Sequence, residues 1–429
     1  MYTCVLICML CLMAAGQALG AGKVNQRMIE KVAAGKTRIA VASWWGFDAE
    51  DSTNALQAAI NSGVKKLVID NPGKPWIVRP ITLASNQEIV LSKGVEVVAK
   101  RGEFEGKGDC LFTGSAKENI TLYGYGATLR MHRTDYVSPA YEKSEWRHAL
   151  SIRSCSNVKV YGLTITESGG DGIYLGKATK GVTNKNIHIK DVICDRHHRQ
   201  GISVITAEDL LIENTVMRDT GGTAPQAGID FEPNSPDERL VNIVMRNCRT
   251  ERNKGDGYLF YLGLMDATSE PVSVRFENCR SIGDVTSSAR VITANAPEKA
   301  VRGRIEFVKC SFEGSGKAGI TLSNIPLGRF VVRFVECSVL DSALSRPETT
   351  PIVFQNRDDA IQLIGGVEFV NCTVRDPVER NLMSYAPKIV NVPIRGVTGT
   401  ITLERNGKKQ KIEITQRRLD EWMPVSKMK

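Results

Sequence analysis

The sequence predicts an all-β solenoid, in which one short strand phrase returns coil after coil. Within each phrase a turn glycine precedes alternating apolar and polar residues, which is the pattern of a short strand with one buried face. The glycines of successive phrases are 29, 27 and 29 residues apart in GGDGIYLG (169–176), RQGISVI (199–205), QAGIDFEP (226–233) and GDGYLFYL (255–262). A repeat of this period indicates one elongated domain rather than several globular ones.

A second series of strands runs through the same region and shares one column of residues. The strands VMRNC, RFENC, EFVKC, RFVEC and EFVNC each end in cysteine, and earlier coils place Leu163, Val192 and Thr215 there. A position shared by Cys, Thr, Val and Leu indicates buried packing rather than bonding. We therefore expect free, buried thiols at Cys248, Cys279, Cys310, Cys337 and Cys372.

The two ends of the chain depart from the repeat. Residues 1–20 carry no charge and an apolar run, which is typical of a secretory signal peptide, so we expect a secreted or periplasmic monomer. Residues 21–80 read as a leader with a short helix near 26–34 and a capping helix that begins after Asp51 or Ser52. An ordinary surface helix is the alternative for the latter.

Residues 81–395 form the predicted coils, and residues 396–429 form a C-terminal cover. In that cover GTITLER and KKQKIEIT flank Asn406-Gly407, a strong hairpin signal, and a basic tail follows. No other segment approaches the ~18 unbroken apolar residues of a membrane span. The net charge of +9 favours an anionic polysaccharide as partner, because no nucleic-acid motif accompanies it.

The repeated phrases, the SGVKKLVID and DSTNALQAAI segments and the asparagine-opened strands carry a family resemblance. The chain resembles the right-handed parallel β-helix superfamily of pectate lyases, polygalacturonases and related secreted bacterial carbohydrate-active proteins. The resemblance implies a single-stranded right-handed parallel β-helix of roughly 10 to 12 coils. Asp171 and the segment 198–203 are similar to two polygalacturonase elements, whereas the paired aspartates and the Arg-Ile-Lys element are missing. The resemblance therefore implies the fold and action on carbohydrate, but not one activity.

Stacked strands lie ~4.8 Å apart, so residues equivalent in the repeat become neighbours. Four outward columns follow from the glycine alignment, and the later coils offer Thr293, Thr321 and Val353 on the same sheet. The columns are Arg147, Gly170, Arg199, Gln226 and Gly255; His148, Asp171, Gln200, Ala227 and Asp256; Ser151, Tyr174, Ser203, Asp230 and Leu259; and Arg153, Gly176, Ile205, Glu232 and Tyr261. We expect Tyr174, Gln200, Ser203, His148, Asp256 and Tyr261 to bind substrate, although any one of them would also suit a solvated sheet surface.

Asp230 and Glu232 are the candidate catalytic pair. Separated by two on a strand, they point to the same face with Cα atoms roughly 6.7 Å apart. This overlaps the ~6.5–9.5 Å carboxyl separation of inverting glycosidases. Asp171, two coils earlier, can supply the acid or orient a sugar hydroxyl. The pattern predicts a glycoside hydrolase, although acids two residues apart are also common on exposed strands.

A different chemistry is predicted from the segment CDRHHRQG (194–201). In a polysaccharide lyase, a base removes the proton next to a uronate carboxylate while a cation neutralises that carboxylate. His198 with Arg199, or His148 with Arg147, can serve these roles, and Asp195 is expected beside the acidic cluster. A merely solvated turn is the alternative. Two adjacent histidines do not make a metal site, so we expect no metal and no cofactor.

The insertion at 131–150 supplies aromatic residues that can wall the same sheet. Faces of tyrosine and tryptophan stack on sugar rings, so Tyr141 and Trp146 are expected to bind substrate. Alternatively the insertion packs on the solenoid exterior. The sequence thus favours a glycoside hydrolase, with a polysaccharide lyase and a non-catalytic binding or scaffold protein as the other hypotheses.

Overall fold

The computed structural model describes residues 23–294, 298–357, 363–387 and 392–424. The predicted signal peptide lies outside these residues. The described chain is a right-handed parallel β-helix, in which each coil passes through three strands that pair in register with those of the next coil. The predicted fold class is confirmed.

Three ladders of parallel strands, here called sheets 1, 2 and 3, form the sides of the coils. Sheet 1 consists of Ile81–Thr82, Phe112–Ser115, Leu150–Arg153, Ile173–Gly176, Ile202–Val204, Ile229–Phe231, Tyr258–Tyr261, Ala289–Ile292, Ile320–Ser323, Ile352–Asn356 and Met383–Pro387. Sheet 2 consists of Ile39–Val41, Lys66–Ile69, Gln87–Leu91, Glu118–Tyr123, Ser156–Tyr161, Asn184–Lys190, Ala207–Glu213, Leu240–Arg246, Val272–Glu277, Gly303–Val308, Phe330–Val335, Val367–Arg375 and Val397–Arg405. Sheet 3 consists of Trp76–Val78, Glu96–Ala99, Thr128–Arg130, Thr164–Thr166, Ile193–Asp195, Val216–Arg218, Arg249–Glu251, Arg280–Ile282, Ser311–Glu313 and Ser338–Leu340.

The asparagines that open the strands of sheet 2 explain how the chain enters each strand. Asn119, Asn157 and Asn186 have φ of 55°, 55° and 52°, a left-handed conformation that asparagine tolerates better than most residues. Their side chains form a ladder, because the Nδ2 of Asn157 donates to Asn119 at 2.9 Å and that of Asn186 donates to Asn157 at 2.7 Å. The amide side chains thus hold the same bend in successive coils.

The core lies inside the coils and is built from the alternating apolar residues. Phe276, Phe307, Phe334 and Phe369 stack in successive coils with ring centroids 4.5 to 5.2 Å apart. The eight cysteines from Cys110 to Cys372 are buried and free of disulfides, so the predicted packing column is confirmed. Buried thiols act here as small apolar side chains.

Helices and a hairpin close the two ends. Helices span Gln26–Ala33, Thr53–Asn61 and Gln416–Trp422, and short 3-10 helices span Ala42–Trp45 and Asp135–Val137. The helix Thr53–Asn61 buries Leu56, Ala59 and Ile60, as its sequence pattern predicts. The stack itself starts earlier than the expected residue 81, because Ile39–Val41 already pairs with Lys66–Ile69.

The C-terminal hairpin is confirmed. The strand Lys408–Ile414 pairs antiparallel with Val397–Arg405, and both turn residues, Asn406 and Gly407, have positive φ. A two-residue turn with both residues in the left-handed region matches the twist of the flanking strands. No helix among the described residues is long and apolar enough to cross a membrane.

Candidate active site

The register of sheet 1 confirms the predicted column that contains Tyr174 and Asp230. Tyr174 pairs with Ser151 on one side and Ser203 on the other, and Asp230 lies between Ser203 and Leu259. The insertion at 131–150 folds back over this part of sheet 1. Between them lies a cavity of about 410 Å³, here called the first cavity, lined by Gly108, Glu145, Trp146, His148, Arg153, Tyr174, Arg199, Ile205, Glu232 and Asn234.

Arg199 lies close to three carboxyl groups at the first cavity. Its Nη2 donates to Oε2 of Glu232 at 2.8 Å, its Nη1 lies 3.8 Å from Oδ2 of Asp171, and its Nε lies 3.8 Å from Oε2 of Glu145. The Arg199 side chain is only 12% exposed. Three carboxyl groups therefore surround one largely desolvated guanidinium, which stabilises their negative charge.

Asp230 lies beneath this layer and is fully buried. Its Oδ2 accepts a hydrogen bond of 2.9 Å from Nε2 of Gln200, whose Oε1 in turn accepts the Ala227 N–H at 3.1 Å. Burial, together with the nearby charge of Glu232, raises the pKa of Asp230 well above its usual range. The protonated form of Asp230 is therefore favoured, and the neighbouring Glu232 is hydrogen-bonded to Arg199.

Asp171 and His148 form a second buried acid–base contact. Desolvation raises the pKa of Asp171 to about 7, although the Arg199 charge opposes the rise. Burial and the charges of Arg153 and Arg199 hold the pKa of His148 well below its usual range, so its ring is neutral. Nδ1 of His148 accepts the Asp171 N–H at 3.0 Å, which assigns the ring proton to Nε2.

Tyr174 forms the wall next to this contact. Its ring stacks on that of His148 with centroids 4.4 Å apart, and the guanidinium of Arg153 lies 5.2 Å from the Tyr174 centroid. Burial raises the pKa of the Tyr174 hydroxyl. A neutral imidazole, a phenol and a cation therefore share one side of the first cavity.

Several polar atoms at this site have no hydrogen-bond partner among the described residues. They are Oγ of Ser203, Oδ1 of Asp230 and both carboxyl oxygens of Asp171. Buried polar atoms are satisfied in the great majority of cases, and the exceptions cluster at functional sites. These residues do not line the first cavity themselves, although Asp171 lies 3.8 Å from Nη1 of Arg199, which does. Asp171, Ser203 and Asp230 were expected on an open sheet face, but all three are fully buried.

The structure places four of the predicted site residues elsewhere. Arg147 is fully buried and donates to the carbonyls of Phe104, Glu105 and Glu142, so it anchors the insertion and does not face the first cavity. These three carbonyls satisfy Nε and Nη2 of the guanidinium, whereas Nη1 has no hydrogen-bond partner among the described residues. Sequence reasoning could not see this, because the partners come from loops without a repeat phase.

Asp195, Asp256 and Tyr261 are likewise outside the first cavity. Asp195 ends a strand of sheet 3 and pairs with Arg218 at 2.8 Å, instead of lying beside the acidic cluster. Asp256 pairs with Arg290 at 3.0 Å. Arg290 occupies the column next to Leu259. Tyr261 is 37% exposed and does not line the cavity.

His198 and Arg199 are adjacent in sequence but face different cavities. His198 lines a second cavity of about 590 Å³, together with Tyr136 and Tyr141, and its Nε2 lies 2.9 Å from Oγ1 of Thr223. Glu145 and Trp146 line both cavities and stand between them. The lyase hypothesis expected His198 and Arg199 to act on one substrate group. The two side chains instead line different cavities.

Glu145 and Asn234 are cavity residues that the sequence reasoning missed. Glu145 lies in the insertion, where no repeat fixes the direction of a side chain, and Asn234 follows the strand that carries Glu232. Arg153 stood in a predicted column without an assigned role. Among the described residues no three His, Cys, Asp or Glu side chains are grouped so as to hold a metal ion.

The stacked parallel strands of the three sheets define a parallel β-solenoid protein. The family model for the right-handed β-helix region matches residues 110–268 and 148–328, which together cover just over half of the chain. The chain therefore belongs to the right-handed β-helix family. This confirms the resemblance seen in the sequence.

A curated relative and solved structures are similar to the chain. YclG of Bacillus subtilis (strain 168), an uncharacterized protein, is 27% identical over 183 residues. These residues are 40% of this chain and 26% of YclG, so the match spans about a quarter of that relative.

The solved structures share the fold at low identity. The A-module of the mannuronan C-5 epimerase AlgE4 of Azotobacter vinelandii has a TM-score of 0.60 and 13% identity, over 85% of this chain and 98% of that one. A mutant tailspike protein of E. coli bacteriophage HK620, in complex with a pentasaccharide, has a TM-score of 0.61 and 13% identity, over 84% of this chain and 65% of that one.

Proposed function

We propose that the protein is an enzyme that acts on a polysaccharide or oligosaccharide, and that it is a glycoside hydrolase using the carboxyl groups of Asp230 and Glu232. One observation carries the proposal. The fully buried Asp230 has a strongly raised pKa, while Glu232, two residues along the same strand, is bound to Arg199. Glycosidic cleavage needs one protonated and one ionised carboxyl group, and this environment separates the two.

The roles follow from the positions of the groups. Glu232 lines the first cavity and its side chain is 24% exposed, so it can reach a water molecule or a sugar. Asp230 supplies the proton from below once a substrate displaces the covering side chains. Asp171, which has a pKa of about 7, lies next to the same guanidinium and is a second group that can donate or accept a proton. It is also suited to orient a sugar hydroxyl.

The surroundings of Arg199 favour hydrolysis over β-elimination. A lyase needs a cation that is free to neutralise a substrate carboxylate, whereas the Arg199 guanidinium already has carboxyl groups near three of its nitrogens. Supporting the wider proposal, solved structures with this fold include an epimerase named for mannuronan and a tailspike bound to a pentasaccharide. The uncharged segment at residues 1–20 supports the further proposal that the protein is exported.

A polysaccharide lyase is the second candidate, and one observation favours it. The neutral His148, the phenol of Tyr174 and the cation of Arg153 share one wall of the first cavity. Arg153 carries no carboxyl partner among the described residues, so its charge is available to neutralise a substrate carboxylate, which β-elimination requires.

Product analysis tests the proposal. The full-length protein is incubated with a panel of polysaccharides, acidic ones first, and the digests are assayed for reducing ends and for near-ultraviolet absorbance. Hydrolysis produces reducing ends without absorbance, elimination produces an absorbing unsaturated sugar, and a binding protein produces neither. Either of the last two results would refute the hydrolase assignment.

A matched pair of variants links the product to the site. Glu232→Gln should lower the rate by roughly 10²- to 10⁴-fold, the usual contribution of an acid–base group. Glu208→Gln is the control, because Glu208 is also 24% exposed and also pairs with an arginine, Arg239, but lies on sheet 2. Equal rates for the two variants would remove Glu232 from the mechanism.

A further inference from the structure

The second cavity has features of a ligand site that the proposed catalytic groups do not use. Val137 and Trp146, which line it, are 64% and 47% exposed, although their side chains are apolar. Exposed apolar side chains that converge on one concave site, rather than lying scattered, mark binding sites. At about 590 Å³ the second cavity is larger than the first.

Tyr136 supplies an independent sign of a ligand site. The residue is only 4% exposed, it lines the second cavity, and its hydroxyl has no hydrogen-bond partner among the described side chains and backbone groups. An unsatisfied buried hydroxyl costs about 1–3 kcal/mol. A hydroxyl or other polar group of a molecule in the cavity would recover that cost.

Lysine side chains supply the positive charge at this cavity, while the Glu145 carboxyl group that also lines it lies 3.8 Å from Nε of Arg199. Lys107 and Lys143 both line it, and both are exposed. Lys107 pairs with Glu142 at 3.0 Å, whereas Lys143 has no ion-pair partner within the described parts of the chain. Burial and the charges of Arg133 and Arg147 lower the pKa of His198, so this histidine is neutral and the free cation at the cavity is Lys143.

The two cavities are neighbours, because Glu145 and Trp146 form the wall between them. A chain of sugars that occupies the first cavity can therefore continue past Trp146 into the second. We infer that the second cavity is a subsite for an acidic sugar unit, with Trp146 stacking on the ring, Tyr136 bonding a hydroxyl and Lys143 pairing with the carboxylate or sulfate. This inference rests on the proposed action on a polysaccharide and names its substrate class.

Binding of charged and neutral probes tests the subsite. The full-length protein with Glu232→Gln, which is expected to slow cleavage, is titrated calorimetrically with hexamers of galacturonate and of mannuronate, with the methyl ester of each, and with a sulfated oligosaccharide and its desulfated form. At least one acidic probe should bind more tightly than its neutral counterpart. Lys143→Met should weaken binding of that acidic probe about tenfold, the loss expected for one charge-assisted contact.

Two further variants complete the test. Trp146→Ala should weaken the acidic and the neutral member of the pair alike, because stacking does not depend on charge. Lys65→Met, at an exposed lysine near the N-terminal cap, should change neither. Equal binding of each acidic probe and its neutral form, no binding of any acidic probe, or equal effects of Lys143→Met and Lys65→Met would overturn the inference.

The outcomes also separate this inference from the proposed function. Hydrolysis of a neutral polysaccharide, with no preference for acidic probes, overturns the subsite and leaves the hydrolase standing. Lysine-dependent binding of an acidic probe that the wild-type protein never cleaves supports the subsite and refutes the hydrolase.

Discussion

Arg199 donates from Nη2 to Oε2 of Glu232 at 2.8 Å and thereby joins two neighbouring coils of sheet 1 across the first cavity. The same guanidinium faces Asp171 and Glu145. Its charge offsets part of the repulsion among these acids, so the cluster depends on one cation.

Removal of the cation should destabilise the protein most at high pH. Arg199→Met leaves three carboxyl groups without their shared counter-charge, and loss of one partner of a buried pair costs about 3–5 kcal/mol. The cost should shrink in acid, because the carboxyl groups then bind protons and lose their charge. Urea unfolding at acidic and at alkaline pH measures both values.

Arg239→Met is the control for this prediction. Arg239 pairs with Glu208 on sheet 2, but its side chain is 39% exposed, and exposed pairs contribute about 0–1 kcal/mol. If both variants lost the same stability at every pH, Arg199 would be an ordinary surface arginine.

Asp171 should make stability fall as the pH rises. Its pKa is about 7 in the folded protein against an ordinary 3.8, so the folded state binds the proton more tightly than the unfolded state. The associated stability is fully present below about pH 4 and is lost as the pH rises through about 7. Asp171→Asn cannot lose a proton, so its stability relative to wild type should rise over this interval by a few kcal/mol. A pH-independent difference in urea unfolding would contradict the raised pKa.

Gln200 should act as a positioning residue for Asp230. The Ala227 N–H fixes the orientation of the Gln200 amide, so its Nε2 must face the Asp230 carboxyl group. This hydrogen bond favours ionised Asp230, and Gln200→Met should therefore raise the Asp230 pKa further and shift the alkaline limb of the pH–rate profile to higher pH. A lower rate with an unchanged profile would mean that Gln200 only supports the fold.

The thiols of the packing column should be unreactive in the native protein. Burial raises the pKa of Cys372 to about 12 and also raises that of Cys155, and both lie in the core. The eight cysteines from Cys110 to Cys372 should remain unlabelled by a thiol reagent in native buffer and all react after denaturation. Mass spectrometry of labelled peptides reads this directly, and rapid native labelling of Cys279 or Cys310 would show that the column opens.

The sequence predicts the fold well because the same strand pattern recurs in every coil. A fixed phase of glycines, asparagines and alternating apolar residues places Tyr174, Ser203 and Asp230 in one column, and the register confirms that column. Because the coils stack in register, residues at equivalent positions of successive repeats become neighbours in space. These contacts can therefore be predicted from the repeat alone.

The site is less predictable because it depends on chain that lies outside the repeat. Asp171 and Asp230 are fully buried, and the insertion at 131–150 anchors itself through Arg147 and adds Glu145 to the first cavity. Burial raises the Asp171 pKa. Asp195 shares a short segment with Arg199 but lies in a strand of sheet 3. The direction of a loop side chain depends on tertiary contacts that local sequence does not encode.

The rate of Asp230→Asn on a polysaccharide that the wild-type protein cleaves tests the central proposal most directly. Asparagine keeps the shape of the side chain and its hydrogen bond to residue 200, but cannot supply a proton. The account predicts a variant that is folded, binds the same polysaccharide and is slower by at least about 10²-fold. Full activity of Asp230→Asn would contradict it.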